Sequence, residues 1–138
     1  MIGFTRPQVH DDDRRRAVND LFQLPANAGQ LNISHIYPGV TVAWHRHKKQ
    51  TDYWYCVKGS IKVGLYHDGL GKLQWEYLHE GERRVLAIPP GVWHGYKNIS
   101  KDESVLLYWV TEKYNKEQPD EERCHIGLFG DCWDAPVR

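Results

Sequence analysis

From Gln30 onward, β-branched and aromatic residues come in short runs broken by turn residues, and no long stretch repeats with the helical period. The pattern predicts strands over residues 31–36, 41–47, 53–58, 60–67, 73–78, 83–88, 95–99 and 105–111. Pro38-Gly39, Lys58-Gly59, Asp68-Gly69 with Gly71, Glu80-Gly81 and Pro90-Gly91 supply the turns, because glycine takes the positive φ such bends need and proline presets the other half. About eight closely spaced strands fit an all-β jelly roll or small barrel. Ahead of them, residues 14–24 are expected to form one short helix, with Asp11, Asp12 and Asp13 placing negative charge at its positive end.

An N-terminal arm (1–29), a barrel (30–114) and a tail (115–138) make a single domain, since 138 residues divided in two would leave each half with a marginal core. In the tail, residues 115–123 are highly charged and read as a solvated connection, while residues 124–138, with Phe129 and Trp133, are expected to pack back on the barrel or on a neighbouring subunit. Tyr53, Tyr55 and Val57 alternate with Asp52, Trp54 and Cys56, so the outer face of this strand also needs cover, and a homodimer is the simplest cover.

Charge and composition narrow the function classes. The 18 Lys and Arg balance 18 Asp and Glu, so nothing attracts a polyanion and nucleic acid is not an expected partner. The first sixteen residues hold no apolar leader core and no run of about 18 apolar residues occurs, so neither secretion nor a membrane is indicated, and the expected location is cytoplasmic. Cys56, Cys124 and Cys132 form no CxxC and are read as reduced thiols. Six Trp and eight Tyr suit a pocket that stacks on sugars or bases, or equally barrel filling plus a dimer interface.

The chemistry-bearing residues fall in two stretches. In Trp44-His45-Arg46-His47, strand alternation turns His45 and His47 to one face, and Asp52 opens the next strand with Trp54 and Cys56 in phase. In Pro89-Pro90-Gly91-Val92-Trp93-His94-Gly95-Tyr96-Lys97-Asn98, the turn aims a strand on which His94, Tyr96 and Asn98 share a face. Arg46, Lys48 and Lys49 lie beside the first stretch, where they could attract a diphosphate or simply remain solvated. Two imidazoles two residues apart with a facing carboxylate can clamp a metal or form a hydrogen-bond network.

The spacing G-x5-H-x-H-x4-D-x6-G, followed by P-x-G-x2-H-x3-N, resembles the two signature motifs of the cupin superfamily, with Asp52 where that family more often has Glu. That resemblance implies a single-domain cupin, a jelly-roll-type β-barrel, in which His45, His47, Asp52 and His94 are ligands of one divalent metal. Fe, Mn, Ni and Zn all suit three imidazoles and a carboxylate.

Ala87-Ile-Pro-Pro-Gly-Val-Trp-His94-Gly-Tyr, residues 106–114 and Trp133-Asp134-Ala135-Pro136 further resemble the dTDP-4-dehydrorhamnose 3,5-epimerases and their shorter relatives. These are dimers that act on nucleotide sugars without a metal or a nucleotide cofactor. The resemblance implies that His45 is the base, Tyr108 the acid on the opposite side and His94 a pocket histidine. It also implies that Arg14 reaches a nucleotide of the neighbouring subunit. Arg46, Lys49, Trp54, Tyr96 and Asn98 complete the candidate substrate contacts.

Several positions depart from that pattern. Asp52 stands where the epimerases carry a lysine, His47 where they have Gln, Val42 where they have Arg and Arg15 where they have Gly, and the chain ends before the aspartate that partners their catalytic histidine. Three expectations follow. The chain is a nucleotide-sugar epimerase or isomerase working next to a ketone, a metal-dependent cupin of another class such as an oxygenase or sugar isomerase, or a non-catalytic sugar-binding barrel.

Overall fold

A computed structural model describes residues 2–134. The segment 135–138 of the tail, with Ala135 and Pro136 of the epimerase resemblance, lies outside the described residues.

The expected all-β architecture is present as two antiparallel sheets. The first runs β1 (Val9–Asp11), β2 (Arg15–Val18), β3 (Gln30–Ile36), β10 (Ser104–Val110), β5 (Asp52–Lys58) and β8 (Leu86–Ile88), in that spatial order. The second runs β11 (Glu122–Arg123), β4 (Thr41–Arg46), β9 (Trp93–Asn98), β6 (Ser60–Tyr66) and β7 (Gln74–His79). Strict alternation drives the inner faces together: Gln30, Asn32, Ser34 and Ile36 are buried on β3, and Asp52, Trp54 and Cys56 on β5. Ile36, Ile61, Val63, Ile88 and Leu106, all at most 2% exposed, form the middle of the core between the sheets.

The helix expected over residues 14–24 does not form. Arg15–Val18 is a strand, paired with β1 on one side and β3 on the other, and Ala17 is buried opposite Ser34. Asp12 does accept hydrogen bonds from the Arg14 and Arg15 N–H groups, but it stabilises the β1–β2 turn rather than a helix start. Positive φ angles at Asp20 (50°) and Gln23 (49°) then exclude helical geometry further on. Among the described residues the one helical piece is a 3-10 turn, Ala26–Ala28.

The tail runs back over the outer face of the second sheet. Trp133, 5% exposed, packs at ring-centroid distances of 5.1 Å from Trp44 and 5.0 Å from Trp75, and Phe129 lies 4.9 Å from Trp44. Lys62, on that same face, is buried with its ammonium over the Trp75 ring and bonded to the Trp133 carbonyl. Gly64 leaves room for the Trp44 ring, since a Cβ there would come within 2.6 Å of it.

Candidate active site

A β-bulge sets the aim of the first histidine. Val42 points into the core, so simple alternation would send Trp44 inward and His45 outward. The β4–β9 register slips between Ala43 and His45: Ala43 pairs with Gly95 and His45 with His94, leaving Trp44 as the extra residue. The slip turns Trp44 to the outer face against the tail and brings His45 and His47 to the inner face with Val42, where all three line one cavity of about 940 Å³. Gly95 permits the crossing, since a Cβ there would meet the Ala43 Cβ at 2.5 Å.

Each histidine has its Nδ1 tied to an oxygen. His45 Nδ1 lies 2.7 Å from Glu121 Oε1, His47 Nδ1 2.5 Å from the Asp120 carbonyl and His94 Nδ1 3.0 Å from the Val92 carbonyl. With oxygen acceptors there, the neutral rings carry their protons on Nδ1 and leave Nε2 as the acceptor atom, which in His47 lies 3.4 Å from the Gln50 amide nitrogen. Nε2 of His47 and of His94 lie 3.8 Å and 3.9 Å from the Asp52 carboxylate. Asp52 itself is buried and accepts from Gln50 Nε2 at 2.7 Å and Trp54 Nε1 at 3.1 Å. Burial pushes the His94 pKa down and keeps the ring neutral, even though the neighbouring Asp52 carboxylate opposes the shift.

His47, Asp52 and His94 have ligand atoms within 4.8 Å of one another. Carbonyl-tied Nδ1 atoms and converging Nε2 atoms are the arrangement that orients metal-binding histidines, so this donor set fits a divalent cation. His45 stands apart from the trio, its ring centroid 6.3 Å from that of His94 and its Nδ1 held by Glu121.

The remaining candidates separate by position. Tyr108, on β10 of the first sheet, faces the cavity from the side opposite β4, and Arg14, Trp54 and Tyr96 also line it. Trp54 meets Tyr96 edge-on at 5.6 Å and His94 at 5.5 Å. Arg46 points away, pairing with Glu122 at 2.7 Å and lying over Trp93. Lys48 and Lys49 are exposed, and Asn98 does not line the cavity: it is buried with its amide bonded to the carbonyls of Ile36, Tyr37 and Asp102. Cys56 is buried, which pushes its thiol up to about 11, and it packs in the core.

The stretch read as a solvated connection is a strap across the site. Asp120 accepts from the backbone N–H groups of Lys48, Lys49 and Gln50, Glu121 takes His45, and Glu122–Arg123 pairs with β4. Burial alone would raise the Glu121 pKa, but the hydrogen bond and charge of His45, with Arg123, hold it down to about 2. Glu121 thus supplies the acidic partner that the sequence left His45 without. The signal available was the acidic run Asp120-Glu121-Glu122 itself, too short for any periodicity to locate. Arg15 was also missed as a cavity residue; its only sequence signal was its two-residue spacing from Ala17.

Among the described residues, no helix is long and apolar enough to cross a membrane. The polysaccharide biosynthesis C-terminal domain profile matches residues 10–122. The chain is 43% identical over 126 residues to the probable low-salt glycan biosynthesis epimerase Agl13 of Haloferax volcanii, covering 84% of this chain and 81% of that protein. It is 37% identical over 122 residues to the spore coat polysaccharide biosynthesis protein SpsL of Bacillus subtilis, covering 83% and 81%. The capsular polysaccharide assembling protein CapF of Staphylococcus aureus superposes with a TM-score of 0.80 at 22% identity, a likeness of fold, over 89% of this chain. The present chain spans only 33% of that CapF chain.

Proposed function

This chain belongs to the polysaccharide biosynthesis C-terminal domain family, with a cupin fold, and from that premise we propose that it is an epimerase or isomerase of a nucleotide-linked 4-keto-6-deoxyhexose, acting as the dTDP-4-dehydrorhamnose 3,5-epimerases do. One observation carries the reading: the His45–Glu121 pair opens from the second sheet into the cavity that Tyr108 enters from the first. The epimerase description of the Haloferax relative supports the reaction class.

His45 Nε2 takes the proton from the carbon beside the ketone, and the C–H electron pair moves to the carbonyl oxygen as an enolate. Glu121, ionised and fixed on Nδ1, stabilises the imidazolium so formed. Tyr108 returns its hydroxyl proton to the opposite face of that carbon, inverting it, and proton exchange with solvent resets the imidazolium and phenolate. The reaction is redox-neutral and calls for no nucleotide cofactor. Trp54 and Tyr96 offer ring faces and edges to the sugar, and Arg14, its charge balanced by Asp12, still offers guanidinium N–H donors to the nucleotide.

His47, Asp52 and His94 would hold a divalent metal, Fe, Mn, Ni or Zn, with His45 kept for the base. Bound there, the ion would supply Lewis-acid polarisation of the substrate carbonyl. Metal analysis after repletion tests this: about one ion per chain in the wild type and loss of it in Asp52→Ala are expected, and absence of any divalent ion in the wild type defeats it. Homodimer formation through the outer face of the first sheet, where Tyr53 and Val57 are exposed and Tyr53 stacks with Trp109, is testable by sedimentation.

The decisive assay follows candidate nucleotide keto-sugars in deuterated water by NMR. Deuterium entry beside the ketone with inversion is expected, and the absence of both would refute the epimerase reading. The metal trio separately favours a metal-dependent cupin of another class, which oxygen consumption with Fe(II) would reveal. Tight nucleotide-sugar binding without turnover would instead mark a binding barrel.

A further inference from the structure

Four lysine and arginine side chains line the cavity: Arg14, Arg15, Lys113 and Arg123. Three are neutralised in place, Arg14 by Asp12 and Lys113 by Asp20, each at 3.1 Å, and Arg123 by Glu121 at 3.0 Å. Among the described residues Arg15 has no carboxylate at ion-pair distance. Its Nη1 donates to the Tyr96 hydroxyl across the gap between the sheets, and its Nε is buried without an acceptor. Burial works against its charge, but a guanidinium stays protonated throughout the working pH range, and the Tyr96 hydroxyl gives it one neutral hydrogen-bond partner. A partly buried guanidinium with a free donor and no counter-charge is destabilising unless an anion completes it.

The proposed proton abstraction creates such an anion inside this cavity. The other lysine and arginine side chains there are paired with Asp12, Asp20 and Glu121, and Asp52, beside His47 and His94, adds a negative charge that only a cation bound at that trio would offset, so Arg15 is the side chain of this chain left to meet an enolate. Arg15 lies near Tyr108, the group proposed to return the proton, and both line the cavity.

We propose that Arg15 is the oxyanion-binding residue of this cavity and that the oxyanion is the enolate oxygen formed when His45 removes the proton. The assignment rests on the epimerase reading. The same chemistry would also suit a fixed carboxylate on the sugar, and the two sources make different demands. An enolate exists only after proton removal, so Arg15 would act on turnover; a carboxylate is present in the ground state, so Arg15 would act on binding.

Arg15→Gln and Arg15→Lys separate these cases, with Arg15→Lys retaining the charge should the neutral variant fold poorly. In the deuterium-exchange assay, Arg15→Gln is expected to lower kcat about 100-fold or more, the range for loss of one oxyanion donor. KM should stay within about threefold, and Arg15→Lys should recover at least about tenfold of the lost rate. In parallel, calorimetry compares UDP-glucuronate with UDP-glucose, which differ at the sugar by a carboxylate against a hydroxymethyl group. If the wild type prefers the glucuronate by about tenfold and Arg15→Gln abolishes the preference, the oxyanion is a fixed carboxylate and the enolate assignment is overturned. If Arg15→Gln alters neither exchange nor that preference, Arg15 only bridges the sheets and the proposal is wrong. If the wild type itself exchanges no substrate proton, the epimerase reading falls and takes the enolate assignment with it, while the calorimetric arm still decides whether Arg15 binds a carboxylate.

Discussion

Replacing Glu121 by Gln keeps the size of the side chain and removes its charge. The carboxylate sits 2.7 Å from His45 Nδ1, with side-chain exposures of 18% for the histidine and 22% for the glutamate. A hydrogen bond to an ionised partner contributes about 1.5–3 kcal/mol, and the attraction grows when the imidazole becomes imidazolium. About 3 kcal/mol withheld from the transition state slows turnover about 150-fold, and a misplaced ring proton in such pairs has cost up to about 10⁴. Glu121→Gln should therefore lower the deuterium-exchange kcat by about 10²–10⁴, with KM changed by less than about threefold. Glu122→Gln is the control, because it breaks the 2.7 Å pair with Arg46 on the same strap and leaves the imidazole untouched. Retention of more than about a third of the wild-type rate in Glu121→Gln would show that the pair is not the base. An equal fall in Glu122→Gln would show that strap docking, not the Glu121 charge, governs the rate.

Glu121 also predicts an acid sensitivity. Its folded pKa, about 2, lies below the unfolded 4.5, so its contribution is complete above pH 4.5 and is lost as pH falls toward 2. Urea unfolding between pH 6 and pH 3 should lose up to about 2–3 kcal/mol more in wild type than in Glu121→Gln. Gly95→Ala puts a Cβ at 2.5 Å from the Ala43 Cβ and 2.8 Å from the Val42 carbonyl, and should cost about 1–3 kcal/mol by urea melt while slowing exchange through displaced His45. Trp133→Ala empties the outer aromatic stack and should lower stability by about 3–5 kcal/mol in the same assay; a loss under about 1 kcal/mol would mean the tail is not anchored there. Cys56, buried with a thiol pushed up to about 11, should resist a thiol reagent at pH 8 until the chain is unfolded.

What the sequence makes legible here depends on whether a signal is local. Alternation located β3, β5 and β10, and it put Asp52, Trp54 and Cys56 on one face without reference to any partner strand. The same rule told that His45 and His47 agree in direction but could not say which direction. Their inward phase depends on the slip at Trp44, which arises from cross-strand pairing with Gly95 and His94. Around the start of β2 the run Arg14-Arg15-Arg16, the last two of them in the strand, hid an alternation that only Ala17 marks, and an inward arginine runs against the ordinary exposure of that residue. The strap shows the limit most clearly. His45, Arg46 and His47 meet Glu121, Glu122 and the Asp120 carbonyl, so three successive residues of the motif are matched by three successive residues more than seventy positions later. Neither triplet has a period, and a charged run read alone is a solvated run. Once the strands are paired, the acidic triplet fixes where each imidazole of that motif keeps its proton. The identity of the base is therefore decided as much by Glu121 as by the histidine motif.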